Sequence, residues 1–485
     1  MRRLQHNLQR HGRITFRWPM TAIRVTCLAT LFWSWDPAAI FSQPTQSNPQ
    51  QPKPAANKSD PIESEAPKPL PKGFIAPQET PAFMTLDKPL LPADAGAEFR
   101  KLQLKYYKAL RQGDLGQREL IVAGVKFRVL RMADKAERNN LEKRRQDVAR
   151  DLKQCARLNS NEAARRTFRE FYLSEIQKRC EELLDNNAYV RFNAALIISE
   201  NLNLTDENVR RKIPAVPFQP VLTPLLAIMV DKTQPTMVKL AALRGLNRLL
   251  RFGSLKVEQK AQIATSLVAE LATGDNIIDY QSRLIATLPL IDLPRISVNG
   301  AQRPIIIQGL TEVLVDNRRP WNVRSEAAMA LGRATMDNQI RVDFIANRIV
   351  DLARQMTIAF QQNAKQSNQS DWARCFLRVY LAFKAVNAAE AAQSAGLLLK
   401  TAKGPLQAKK AAVAAAFAVI HPLAAHVTPA FTQNEPIPPF PKQIQQQLTD
   451  YLKQNQPNNF RIDPNEPPVG APSQPAKPAT QPAGA

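Results

Sequence analysis

Glycine is scarce in this chain, at 16 of 485 residues, and aromatic residues make up only 7%. Few glycines leave few tight turns, which argues against a β-sandwich or barrel and suits continuous helices. Few aromatics leave the packing to small aliphatic side chains, as close helix-on-helix contact allows. Histidine is nearly absent: beyond His6 and His11 there are only His421 and His426. Their i,i+5 spacing sets them on different helix faces, and no cysteine or clustered carboxylate joins them, so a zinc site has no ligand set. The same shortage leaves Ser/His/Asp and Cys/His mechanisms without a base. There is no Gly-x-Gly-x-x-Gly and no Gly-Lys-Ser/Thr to cradle a phosphate. Paired acids such as Glu181-Glu182 are neighbours on one helix rather than carboxylates opposed across a cleft. The expectation is a non-enzyme with no cofactor, no metal and no small-molecule substrate.

Cysteine is equally sparse. Cys27 lies near the N-terminus, and Cys155, Cys180 and Cys375 form an odd set that cannot make a full disulfide framework. Cys155 lies just before the turn Asn159-Ser160-Asn161, and Cys180 follows that turn by some twenty residues. In an antiparallel helix pair that places them on the order of 25 Å apart, and a bridge needs Cα atoms within about 7 Å. All three read as small, buried, apolar residues.

Acidic residues are outnumbered, 42 Asp and Glu against 66 Lys and Arg, for a formal charge of +24. From Arg100 to Leu184 there are 22 Lys/Arg against 12 Asp/Glu, so much of the excess sits in a short stretch. Such a surface attracts anionic partners in a salt-dependent way. A solvated helical face with interspersed acids is the plainer account of the same charges.

The first 42 residues resemble an export signal. Arg2, Arg3, Arg10, Arg13, Arg17 and Arg24 form a long basic region, and Val25–Trp35 is an apolar run of eleven residues. That is short for a membrane span and within the range of a signal core. Ile40-Phe41-Ser42 offers a cleavage site before Gln43, although Asp36 and Pro37 interrupt the run, and an uncleaved anchor is the alternative. Cys27 lacks a lipoprotein box, and Arg2-Arg3 lacks the flanking residues of a twin-arginine signal. The expected location is the periplasm, cell envelope or extracellular space, released or membrane-anchored by this segment.

Residues 43–94 are dense in Pro, Gln, Ser and Lys, and the tail 456–485 in Pro, Ala and Gln. Neither can bury enough apolar area to offset its chain entropy, so both are expected to be disordered. Between them lie a basic helical region, 95–184, and a repeat region, 185–455. Helix begins near Ala95 and stops at Gly113-Asp114; a second starts around Leu115; Asp134–Arg157 reads as a long exposed helix laced with i,i+4 charge pairs.

In the repeat region one helix is spelled four times. Val190-Arg191 runs into Ala194, Ala195 and Ile198; Val238-Lys239 into Ala241, Ala242 and Leu246; Ile278-Asp279 into Ser282 and Ala286, more faintly; Val323-Arg324 into Ala327, Ala328 and Leu331. The anchors 190, 238, 278 and 323 are 48, 40 and 45 residues apart. Second helices read Val221–Val230, Val257–Ala272, Pro304–Val315 and Asp343–Phe360, with Trp372–Val386 and Ala408–Ile420 as degenerate anchors and Lys442–Leu452 as a cap. A period near this length is that of stacked helix pairs.

The pattern of a turn residue, Val-Arg/Lys, two alanines and Leu resembles the second helix of HEAT repeats, the armadillo-type α-α superhelix. Asn322-Val323-Arg324-Ser325-Glu326-Ala327-Ala328-Met329-Ala330-Leu331-Gly332 is the best match, and the resemblance covers roughly Asp185–Ile420. It implies an all-α solenoid with a concave surface for a protein or other polymer, and names no ligand. The alanines read as interface spacers. Arg191, Lys239 and Arg324 either pair with acids such as Glu200 or Glu326 or satisfy carbonyls along an inner ladder, or they line one groove and hold a carboxylate- or sulfate-bearing partner. The functional expectation is a non-catalytic, exported scaffold that docks a protein. The alternative is a binder of anionic phospholipid or acidic polysaccharide through the helices at 100–184. Nucleic acid suits the charge but not an exported chain.

Overall fold

A computed structural model describes residues 87–273, 277–363, 369–433 and 435–469. The expected export segment, most of the linker and the end of the tail lie outside these residues.

The described residues are overwhelmingly helical. In the basic region α1 spans Ala95–Gln112, α2 Arg118–Leu130, α3 Leu141–Gln154 and α4 Glu162–Leu183. α1 ends where Gly113 takes a left-handed φ of 67° and its N–H returns to the Ala109 carbonyl, a conformation that favours glycine. The long exposed helix expected over Asp134–Arg157 is instead a 3₁₀ turn, Lys135–Asn140, followed by α3. α3 buries Asp147 and Asp151 beside Val148 and Leu152. These acids are drawn inward by cations on and just after α2: Arg128 meets Asp151 at 3.0 Å and Arg131 pairs with Asp147. The charge pattern therefore encoded cross-helix pairs as well as pairs along one helix.

From residue 188 the helices are α5 (Ala188–Leu196), α6 (Leu222–Val230), α7 (Thr236–Phe252), α8 (Val257–Ala272), α9 (Ile278–Thr287), α10 (Ile305–Val315), α11 (Trp321–Arg333), α12 (Val342–Asn363) and α13 (Gln369–Leu381). The short α14 (Leu397–Ala402), α15 (Lys410–Gln433) and α16 (Lys442–Gln454) follow. α5, α7, α9, α11 and α13 pack each on the next; α6, α8, α10 and α12 do the same. The two rows meet through α6–α7, α10–α11 and α12–α13. This all-helical, layered packing is compatible with a helical solenoid. α15 packs on α12, α13 and α16. Gln407–Gln433, which contains it, is long and apolar enough by composition to cross a membrane.

The alanine pairs sit where neighbouring helices touch: Ala194, Ala195, Ala241, Ala242, Ala327 and Ala328 are all buried. Val190, Val238 and Val323 are buried as well, but Ile278 is exposed and opens α9. Tyr280 takes the buried position instead, with Gln281, Leu284 and Ile285 inward. The third anchor is therefore shifted by two residues, and the spacings become 48, 42 and 43. Its alanine pair is replaced by Leu284-Ile285, which is why the sequence looked faint there.

Two strands break the helical rule. β1 (Ile296–Val298) and β2 (Ala301–Arg303) form a hairpin across Asn299-Gly300, both at positive φ. Asn-Gly between short β-prone runs is the signal for such a turn. The hairpin also organises the start of the expected tail. Arg295, just before β1, pairs with Asp337 and Asp463, and Arg303 holds Glu466, with its Nε at 2.9 Å from Oε1. Ile462 and Val469 are buried, so residues 457–469 are a packed segment rather than part of a disordered tail.

Candidate functional site

A concavity lies where α11 and α13 begin. Pro320 caps α11 with φ −59° and ψ 150°, which places Trp321 as the first helical residue. The missing N–H of proline costs nothing at that position. α13 packs on α11 and buries Ala373, Cys375, Phe376 and Val379 among its neighbours, and Trp372 stands on its first turn. The two indole rings lie 6.0 Å apart at 38°. With Pro320, Asn322, Asp371 and Cys375 they line a cleft of about 250 Å³.

Aromatic packing holds Trp372 in place. Trp372 stacks on Phe376 at 6.0 Å and meets Phe360 edge-on at 5.6 Å. Phe440, ahead of α16, closes on Phe376 at 5.0 Å. Edge-to-face and offset arrangements of this kind add stability beyond the area they bury. Trp321 is supported from another side by Arg324, whose guanidinium carbon lies 4.9 Å from the ring centroid.

Polar groups in the cleft are few and engaged. The Cys375 thiol donates to Asn322 Oδ1 at 2.7 Å, and burial pushes its pKa up, so it stays protonated and unreactive. Asp371 pairs with Arg374 at 3.2 Å. Cys155 and Cys180 are also free, buried thiols, with burial pushing Cys155 up to about 12. Among the described residues no three His, Cys, Asp or Glu side chains gather as metal ligands.

The three cations expected at a partner site are each buried, and each is engaged within its own part of the stack. Arg191 donates through Nε to the Asn186 carbonyl and lies 3.8 Å from Asp185. Lys239 meets Glu270 at 2.8 Å, and Glu270 also accepts from the Tyr280 hydroxyl at 3.0 Å, tying α7, α8 and α9 together. Arg324 donates from Nε to the Leu314 carbonyl at 3.0 Å and from Nη2 to Gln355 at 2.9 Å. Its Nη1 has no acceptor among the described residues. Arg191 and Arg324 thus serve carbonyls at or just beyond helix ends, while Glu326 pairs with Arg378 and Glu200 with Arg145 and Arg244. Of the three cations, Arg324 alone touches a residue that lines the cleft, through the Trp321 ring.

Sequence reasoning assigns no site role to Trp372, read only as the start of a degenerate anchor helix, to Cys375, read as a buried apolar residue, or to Asp371. The available signal was two of five tryptophans falling on the first turns of successive anchor helices. No protein-family model, curated protein or solved structure matches the chain.

Proposed function

We infer that this chain is a non-catalytic, HEAT-like helical scaffold of the cell envelope that docks a protein partner, with the Trp321–Trp372 cleft as the anchor point. The observation that carries this reading is the cleft itself. At about 250 Å³ it is smaller than the roughly 300–1,000 Å³ of ordinary ligand pockets. It suits one or two side chains of a docked segment better than a whole substrate. Tryptophan in a packed pocket is among the commonest energetic centres of a protein interface. Prolyl and aliphatic side chains pack well against indole faces, and an extended proline-bearing segment reaches such a groove at low entropic cost. The layered helices behind the cleft supply a rigid support. Envelope location rests on the basic and apolar segments of residues 1–42.

The test is a pull-down from envelope extract with the wild-type chain and Trp372→Ala, eluted in salt steps. Partners that stay on the wild type through half-molar salt and are lost from the variant support apolar docking at the cleft. Identical sets of partners on both proteins, or release of everything at low salt, would refute it.

A further inference from the structure

We propose that the solvent face of α1 is a docking surface for anionic phospholipid headgroups. Within Ala95–Gln112 the one acid is Glu98, against Arg100, Lys101, Lys105, Lys108 and Arg111, all five exposed. Helical periodicity sets Arg100, Lys101, Leu104, Lys108 and Arg111 on one stripe, with Lys105 on its flank. Lys101 pairs with Glu98 at 2.7 Å; among the described residues the other four cations form no ion pair.

The helices behind α1 differ. Arg128 and Arg131 meet Asp147 and Asp151, Arg144 meets Glu137, Arg169 meets Asp206 and Arg179 meets Glu182. Many cations of the basic region are therefore taken up by internal pairing, and α1 carries an unneutralised row.

Leucine decides which polyanion fits. Leu104 is 85% exposed at the centre of the stripe, although the opposite face of α1 already buries Phe99, Tyr106, Ala109 and Leu110. Leu158, 69% exposed and beside the exposed Arg157, is held at the far end of the stripe by its N–H, which donates to the Arg111 carbonyl at 2.8 Å. Nucleic acid or acidic polysaccharide would meet the cations and gain nothing from exposed leucines. A bilayer interface takes both: leucine enters the headgroup–acyl boundary while Lys and Arg lay their stems along it and keep their charges at the phosphates.

The full chain is mixed with phosphatidylglycerol–phosphatidylcholine vesicles, with phosphatidylcholine vesicles and with immobilised heparin, at low and half-molar salt. Anionic vesicles should bind at low salt and release at high salt, and neutral vesicles should not bind. Each basic residue near an anionic surface contributes about five-fold, so Lys105→Glu with Lys108→Glu should weaken vesicle binding by about thirty-fold or more. Leu104→Ser should weaken vesicle binding several-fold and leave heparin retention unchanged. All three positions are exposed, and unchanged circular dichroism verifies the fold. Equal binding to neutral vesicles would assign the membrane affinity to the apolar run near the N-terminus and overturn the proposal. So would vesicle binding indifferent to the double substitution. Heparin retention with no loss of vesicle binding in Leu104→Ser would make the stripe a site for acidic polymer instead.

Discussion

The side chain of Tyr106 fills the space that a Cβ would need on Gly124. Tyr106 is fully buried on α1, and its hydroxyl reaches Tyr172 at 2.8 Å and Asp151 at 3.2 Å. One missing methyl on α2 thus lets α1 approach closely enough to reach α3 and α4 with a hydrogen bond. Gly124→Ala gains helix propensity but drives a methyl into the ring, and overpacking of this kind costs about 1–3 kcal/mol. Gly96, near the start of the same α1, has nothing within 4 Å of where its Cβ would be. Gly96→Ala should be neutral or stabilising by up to about 1 kcal/mol. In urea unfolding Gly124→Ala should be destabilised and Gly96→Ala should not, and equal effects would contradict the packing described.

The carboxyl that accepts from Tyr106 is itself displaced in pKa. Burial lifts Asp151 to about 6, against the Arg128 guanidinium and the Tyr106 hydroxyl, which favour the ionised form. The fold therefore holds a proton at Asp151 that the unfolded chain has released by pH 5. Stability from this group is present at low pH and is lost as pH rises from about 4 through about 6. A carboxyl raised that far above its ordinary value carries a pH-dependent stability of about 3 kcal/mol. Neighbouring Asp147 moves the opposite way, because Arg131, Arg144 and Arg128 outweigh its own burial. Asp147, held below the ordinary carboxylate range, stays ionised from pH 4 to pH 7 in wild type and in Asp151→Asn, so it adds little to their difference over that range. The wild type should lose about 2–3 kcal/mol relative to Asp151→Asn between pH 4 and pH 7. A difference that stays flat across that range would show that Asp151 does not titrate as its surroundings dictate.

Lys239 and Glu270 test whether a repeat cation is structural. Both side chains are about one-tenth exposed and meet at 2.8 Å. Removing one member of a buried pair leaves the other charge uncompensated, at a cost of about 3–5 kcal/mol. Lys239→Met and Glu270→Gln should each destabilise by a few kcal/mol, and the double variant should fall well short of their sum. If Lys239 instead existed to hold a partner, Lys239→Met would unfold at the wild-type urea concentration.

How much of this was legible in the residues varies along the chain. Where the repeat is built from Val, Arg/Lys and Ala-Ala, as at Val190, Val238 and Val323, the sequence pattern named buried positions directly. It failed at α9 because Tyr280, Leu284 and Ile285 fill the same volume with different shapes, and periodicity in small residues cannot register that. The cleft was hidden for a different reason. Trp321 and Trp372 are 51 residues apart, and only the stacking of α11 on α13 brings their rings together. The hairpin was readable from Asn299-Gly300 alone, but a count of scarce glycines overlooks where each one falls.

The segment 457–469 is the sharpest case of composition misleading, and it makes the last prediction. Proline and asparagine dominate it, yet Ile462 is fully buried and its carbonyl accepts from the Arg341 N–H at 2.8 Å. Phe460 meets Phe344 edge-on, and the carboxylates of Asp463 and Glu466 are buried against Arg295 and Arg303. Proline suits such a strap: with no N–H to satisfy and a fixed φ, it loses little entropy when an extended chain is laid on a surface. Ile462→Ala should therefore cost about 2–4 kcal/mol, as for any buried aliphatic residue. Arg295→Ala should be comparably damaging, because Asp463 would be left buried without its cation. Limited proteolysis should then cut after Arg461 in either variant while sparing the wild type. If this stretch were an unanchored tail, protease would cut there in the wild type, and both substitutions would leave the urea midpoint unmoved.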